Sequence, residues 1–177
     1  SMFGGVSGNL EEAADRLLER LDDFTRPLSC ALGIGGGGPT ARRLRERGVD
    51  VISCDLSPRF AQQAAPTGVC ADEEFLPFGA GAFDLVVANL SLHWVNDLPG
   101  TLLQIRHALK PDGLLLASMP VLPTLSALRQ SLTDAELALS GGVSPRVSPF
   151  PTPRDCASLL QRAGFALPVV DIERLDI

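Results

Sequence analysis

Apolar and polar positions recur with two different periods along the chain, and the switches between them lay out its elements. Residues 1–8 hold three glycines and no pattern, and read as a mobile segment. Leu10, Ala13, Ala14, Leu17, Leu18 and Leu21 then recur at helical spacing with charges between them. Asn9 and Glu12 stand as the two halves of a capping box, so this helix is predicted to open at Asn9. From Leu28 the period shortens. Leu28 to Ile34 reads as a buried strand that runs into four glycines, 35 to 38, after which Pro39 suits a helix start and Gly48 its end. Val49 to Cys54 is a second strand, with Asp55-Leu56-Ser57-Pro58 opening the next helix, and Gly68 to Ala71 is a short third strand. Phe83 to Asn89 is almost wholly apolar, the pattern of a strand covered on both faces.

Asp97 is placed to cap a helix in which Leu98, Leu102, Ile105 and Leu109 share one face. Pro111-Asp112-Gly113 turns the chain into a fifth strand, Leu114 to Ser118. Leu125, Leu128 and Leu132 suggest a further helix, and residues 141–153 form a Gly/Ser/Pro-rich loop. Thr152-Pro153 begins a last helix closed by Gly164, and Pro168 to Ile172 reads as a sixth strand. Strands alternating with helices imply a parallel sheet with right-handed crossovers. The expected fold is therefore α/β: a Rossmann-like three-layer sandwich with a mostly parallel sheet. Residues 9–177 are expected to make a single domain, with the last hairpin strand missing and the C-terminus truncated.

Composition narrows the chemistry. The chain has 177 residues and a net charge of −6, which leaves no electrostatic footprint for nucleic acid. No apolar run is long enough to span a bilayer, which leaves peripheral membrane association open. Four cysteines include no Cys-x-x-Cys pair, and two histidines do not make a two-histidine, one-carboxylate iron site, so no metal is expected. The 17 glycines and 14 prolines matter more by position than by number.

In an open parallel sheet, ligands bind beyond the carboxyl ends of the strands where strand order reverses. The residues that follow strands one to four are therefore the informative ones. The glycine loop after strand one lets backbone N–H groups approach a ligand. Asp55 lies about twenty positions beyond Gly35, a spacing at which a carboxylate can accept both ribose hydroxyls. Asp72 follows strand three with Glu73 and Glu74 beside it; Asn89, Ser91, His93 and Trp94 follow strand four. Glycine loop and two acids together point to an adenosine-containing ligand. The G-x-G-x-x-G spacing of NAD sites is absent. Plainer roles stand beside these: Asp55 as a helix-start acid, Asp72 as a solvated loop residue, and His93 as a packed neighbour of Trp94. Asp84 reads as structural and His107 as surface.

The segments ALGIGGGGPTARRL, CDLSP, ADEEFLPF, FDLVVANLSLHWVNDLP, LKPDG and GGVSPRVSPF resemble the class I S-adenosylmethionine-dependent methyltransferase superfamily. Within it they most resemble the mitochondrial complex I assembly factor 5 (NADH:ubiquinone oxidoreductase complex assembly factor 5) group and its bacterial relatives. The malonyl-carrier-protein methyltransferase of biotin synthesis is a more distant match. The resemblance implies S-adenosylmethionine as cofactor, held by Gly33, Gly35 and Gly37 at the methionine moiety, Asp55 and Leu56 at the ribose, and Ala71 and Asp72 at the adenine. Asn89 and Leu90 line the far side, and His93 and Trp94 face the substrate, His93 being the one candidate catalytic base. It further implies a protein substrate or complex I subunit as partner, modified by methyl transfer or arginine hydroxylation. The location would be the matrix side of the mitochondrion in a eukaryote and the cytoplasm in a bacterium.

One position departs from the family pattern. An acid normally stands two residues before the first loop glycine, and here that place is Gly33. Losing one charge-assisted hydrogen bond costs ~1.5–3 kcal/mol, about ten- to hundredfold in affinity, so weakened cofactor binding is expected. The alternatives are a non-catalytic assembly module with a decayed cofactor site, or a carboxyl O-methyltransferase of the malonyl-carrier-protein type.

Overall fold

A computed structural model describes residues 4–35, 38–64 and 66–174. In chain order its elements are α1 (Gly4–Glu19), β1 (Cys30–Ile34), α2 (Pro39–Glu46), β2 (Asp50–Asp55), α3 (Pro58–Gln63), β3 (Gly68–Cys70) and β4 (Phe83–Asn89). A single 3-10 turn (Leu92–Trp94) follows, then α4 (Leu98–Ala108), β5 (Leu109–Ser118), α5 (Ser126–Ser140) and α6 (Pro153–Arg162). The five strands form one sheet in the order β3-β2-β1-β4-β5, and every neighbouring pair is parallel.

The alternation of side chains along the strands divides the core into two layers. Ala31 of β1 and Leu85 and Val87 of β4 pack with Leu18, Ala41 and Leu44 from the α1 and α2 side. Leu32, Val86 and Ala88 pack with Leu102, Ile105 and Ala108 of α4, and with Ala163 just beyond α6. Helices thus cover both faces, which is why β1 and β4 are apolar at nearly every position. The α/β three-layer sandwich expected from the pattern is the fold.

Local chemistry explains most boundaries. Asp97 caps α4, its carboxylate accepting from Gly100 N at 2.9 Å. Thr152 and Asp155 form a reciprocal capping box at the start of α6. Asp84 accepts from the backbone N–H groups of Ser29 (3.2 Å) and Cys30 (3.0 Å) and pairs with Lys110 (2.9 Å), so its role is structural. His107 is exposed on α4, as expected.

Four expectations need correction. Helix α1 begins at Gly4, not Asn9, so the Asn9/Glu12 pair is inside the helix. Its early turns are fastened by tertiary partners rather than by a cap: Asn89 Nδ2 donates to Leu10 O (3.2 Å), and Glu11 pairs with Arg42 and Arg43. Of the residues read as mobile, 1–3 lie outside the described residues. Strand β5 begins at Leu109, five residues early, because residues 110–113 form a bulge inside it rather than a turn before it. Residues 168–172 are irregular, not a sixth strand. Asp171 and Glu173 pair with Arg20, and Glu173 also with Arg16, so ion pairs to the end of α1 hold this segment instead of a strand ladder. Finally, Leu109, expected on the apolar face of the helix that Asp97 caps, is instead the first residue of β5. Cys70 is exposed, because β3 is an edge strand, and all four cysteines are free.

Candidate ligand cleft

Strand order reverses between β1 and β4, and a cleft of about 510 Å³ opens beyond the carboxyl ends of β1, β2 and β4. It is lined by Leu10, Gly35, Asp55, Leu56, Ser57, Phe60, Glu73, Asn89, Leu90, Ser91 and Trp94. Five of the sequence-derived cofactor residues are therefore brought together: Gly35, Asp55, Leu56, Asn89 and Leu90.

Gly35 ends β1 with φ +89°, a backbone conformation that side chains disfavour, and its N–H donates to Cys54 O (3.0 Å). A Cβ built there would lie 2.8 Å from Ser91 Cβ. Backbone and serine thus meet just beyond the paired ends of β1 and β4, and only glycine fits. Gly33 lies inside β1, is buried and does not line the cleft. A Cβ there would make ordinary contacts, 3.8 Å to Val51 Cγ1 and 4.0 Å to Ser53 Oγ, so crowding does not exclude a side chain at this position. Gly37 lies outside the described residues.

Asp55 closes β2, and its Oδ1 accepts from Ser57 N (2.7 Å), which fixes the turn into α3 and sets the carboxylate at the cleft wall. Leu56 and Phe60 present exposed apolar surface beside it. After β3 the arrangement differs from the sequence reading. Ala71 donates its N–H to Asp55 O (3.1 Å), and Asp72 turns its carboxylate onto its own loop, accepting from Glu74 N (2.9 Å). Neither lines the cleft; the neighbouring Glu73 does. Burial pushes the Glu73 carboxyl above its ordinary range, and the nearby charges of Asp55, Asp72 and Glu74 push the same way.

The exit of β4 is a tied corner. Asn89 donates to Leu10 O and accepts from Ser118 Oγ (2.7 Å), while Leu90 N donates to both Ser118 O (3.0 Å) and Ser118 Oγ (3.1 Å). Leu90 takes a left-handed conformation at φ 51°, a local strain that this network holds in place. Ser91 follows, buried, and its Oγ has no hydrogen-bond partner among the described residues. Trp94 is 77% exposed at the rim, its ring centroid 4.8 Å from that of His93. His93 does not line the cleft; its Nδ1 is buried without a partner among the described residues, and burial lowers its pKa. The sequence reading missed Leu10, Ser57, Phe60 and Ser91 as lining residues. Ser57 and Ser91, each two residues beyond the end of a strand (β2 and β4), carried a positional signal; Leu10 and Phe60 did not.

Comparison with known proteins agrees with this geometry. Residues 7–168 match the family model described as a methyltransferase domain. The arginine-hydroxylase NDUFAF5, mitochondrial, of Danio rerio is 41% identical over 94% of this chain and 54% of its own length. A malonyl-[acyl-carrier protein] O-methyltransferase of Gallionella capsiferriformans (strain ES-2) is 34% identical over 94% of this chain and 61% of its own. The chain thus spans about half the length of the NDUFAF5 relatives it matches. The crystal structure of 1,6-didemethyltoxoflavin-N1-methyltransferase of Burkholderia thailandensis superposes with a TM-score of 0.60 at 23% identity, covering 88% of this chain and 66% of that one. That likeness concerns the fold alone. The resemblance read from the sequence motifs is borne out, and the chain belongs to the methyltransferase-domain family.

Proposed function

We propose that the cleft binds S-adenosylmethionine and that the protein acts in respiratory complex I assembly by modifying a protein substrate. One observation carries the cofactor reading: the β1/β4 switch point brings Gly35, Asp55, Leu56 and Phe60 to one cleft. These residues fit a nucleoside cofactor. Gly35 lines the cleft without a side chain to cover it, which lets the ligand approach its backbone. Asp55 accepts the ribose hydroxyls, and Leu56 and Phe60 give the sugar and base an apolar wall. Beyond β3 it is Glu73, not Asp72 or Ala71, that lines the cleft and faces the base. When bound, the cofactor supplies an electrophilic methyl group, so the protein has mainly to align an acceptor and exclude water.

The acceptor side is the rim at Trp94. An exposed indole on a cleft that Asp55 and Glu73 also line suits a cationic side chain such as a guanidinium. The arginine-hydroxylase relatives support an arginine-bearing protein as substrate, which on this reading is a complex I subunit, modified by methyl transfer or arginine hydroxylation. The mitochondrial relatives support a mitochondrial location in a eukaryotic source; for a bacterial source the proposal is the cytoplasm. No described helix is long and apolar enough to cross a membrane.

A second reading is supported by Gly33, which withholds the usual acid from β1, and by α5. That helix buries no residue and leaves Leu128, Leu137 and Leu139 exposed. On this reading the protein is an assembly module that binds its partner without catalysis. Deleting the gene in its source and complementing it separates the two. The enzyme reading expects complex I to fail without the protein, and Asp55→Ala not to restore it or the arginine modification, read by mass spectrometry. Full rescue by Asp55→Ala favours the assembly module. Normal complex I in the deletion contradicts both.

A further inference from the structure

We propose that the loops after β3 and β4 form one docking rim for an extended, basic and apolar segment of the substrate protein, with Phe75 and Trp94 as its aromatic anchors. The inference rests on the protein-substrate reading above and deepens it by naming what holds the chain beside the modified residue. Phe75 is 76% exposed and Trp94 77%. Single exposed apolar side chains are ordinary on a protein surface, but two large aromatics on neighbouring, fixed loops mark a contact site. The Phe75 ring is not exposed for want of anchorage. Glu74 N donates to Asp72 Oδ1 (2.9 Å), Phe75 N to Asp72 O (3.0 Å) and Leu76 N to Gln104 Oε1 (2.8 Å). Leu76 and Phe78 pack against the core, the Phe78 ring edge-on to Phe83 at 5.1 Å. Phe75 is the large apolar residue of this loop that the fold leaves uncovered.

The two loops are tied to each other. The Glu74 carboxylate accepts from Asn96 N and Nδ2, and Gln104 Nε2 of α4 donates to Glu74 O. Trp94, two residues before Asn96, is set by its own N–H on Ser91 O (3.1 Å). The rings therefore stand on adjoining supports, Trp94 at the cleft rim and Phe75 outside the cleft lining. Charge decides the kind of partner. Residues 55–60, 71–78 and 91–97 hold five carboxylates, from Asp55 to Asp97, against Arg59 and His93. Such a surface attracts a basic segment and repels acidic segments and anionic lipid. An arginine laid on Trp94 meets the indole face as a cation, and an apolar neighbour in the same segment meets Phe75. Aromatic rings lose little conformational freedom on binding, which suits them as anchors.

Trp94 is the only tryptophan of the chain, so its fluorescence reads the rim directly. The probe is a short, blocked glycine-serine peptide carrying Leu-Arg-Leu at its centre, compared with the same peptide carrying Leu-Glu-Leu or Ser-Arg-Ser. The Leu-Arg-Leu peptide is expected to shift Trp94 emission saturably at sub-millimolar concentration, and the other two to bind at least about fivefold more weakly. Phe75→Ala is expected to weaken the Leu-Arg-Leu peptide about fivefold, and Phe75→Tyr to keep it within about twofold. Melting curves stay unchanged in both variants because the ring is exposed. Calorimetric affinity for S-adenosylhomocysteine stays within about twofold because Phe75 does not line the cleft. Undiminished peptide binding by Phe75→Ala, equal binding of either control peptide, or a matching loss of S-adenosylhomocysteine overturns the docking rim. A shift of Trp94 emission with protein concentration alone, abolished by Phe75→Ala, assigns the face to a second copy of the chain and overturns it too. If no peptide shifts Trp94 at millimolar concentration the rim fails, while the protein-substrate reading is still judged separately by the arginine modification in the gene deletion.

Discussion

Gly35 and Ser91 are in such close contact that a Cβ on the glycine would lie 2.8 Å from the serine Cβ. The approach is made possible by φ +89° at Gly35 and φ 51° at Leu90, which turn the ends of β1 and β4 toward each other. It brings a backbone edge and the buried Ser91 to the wall of one cleft, and the ligand site depends on it.

Gly35→Ala breaks this contact on two counts, steric overlap and an unfavourable φ. The variant is expected to lose about 1–3 kcal/mol of stability and at least tenfold in S-adenosylhomocysteine affinity. Denaturant unfolding and calorimetry check the two effects separately.

Gly33 behaves differently. It has room for a Cβ at ordinary contact distances, and its φ is not left-handed. Gly33→Ala is expected to keep or raise stability by up to about 1 kcal/mol. Gly33→Asp restores the family acid and is expected to tighten S-adenosylhomocysteine about tenfold if the missing carboxylate is what weakens the site.

His93 gives a pH signature. Burial holds its pKa below the ordinary value, so the neutral imidazole is the folded form at pH 7. Unfolding frees it to bind a proton, so its contribution is full above the unfolded pKa of about 6.5 and is lost as pH falls through the depressed folded value. Its titration by NMR checks the direction. His93→Ala is expected to leave cofactor affinity within about twofold, because the ring does not line the cleft.

The thiols differ as their surroundings do. Burial pushes the Cys54 thiol up to about 11, whereas Cys70 is exposed on the edge strand. At pH 7.5 a thiol reagent is expected to modify Cys70 in the native protein and Cys54 only after unfolding, as peptide mapping would read.

The strands were legible because an apolar run covered on both faces has one plain reading: Phe83 to Asn89 is β4 to the residue. Asp97 and Thr152 were legible because capping is local chemistry. What escaped was set by distant partners. The start of α1 depends on Asn89 and on Arg42 and Arg43, and residues 168–172 depend on Arg16 and Arg20. In the site, strand topology made Gly35, Asp55 and Asn89 readable in advance. That Glu73 rather than Asp72 meets the cleft was decided by a loop hydrogen bond to Glu74 N. That Ser91 is buried against Gly35 at this wall is set by the fold and has no local signature in the sequence.

The most direct test of the central claim is calorimetric titration of the wild type and Asp55→Ala with S-adenosylhomocysteine. The cofactor reading predicts saturable wild-type binding in the micromolar to sub-millimolar range, and a loss of at least tenfold on removing the carboxylate that accepts the ribose hydroxyls. Absence of wild-type binding at millimolar ligand, or undiminished binding by Asp55→Ala, would contradict it.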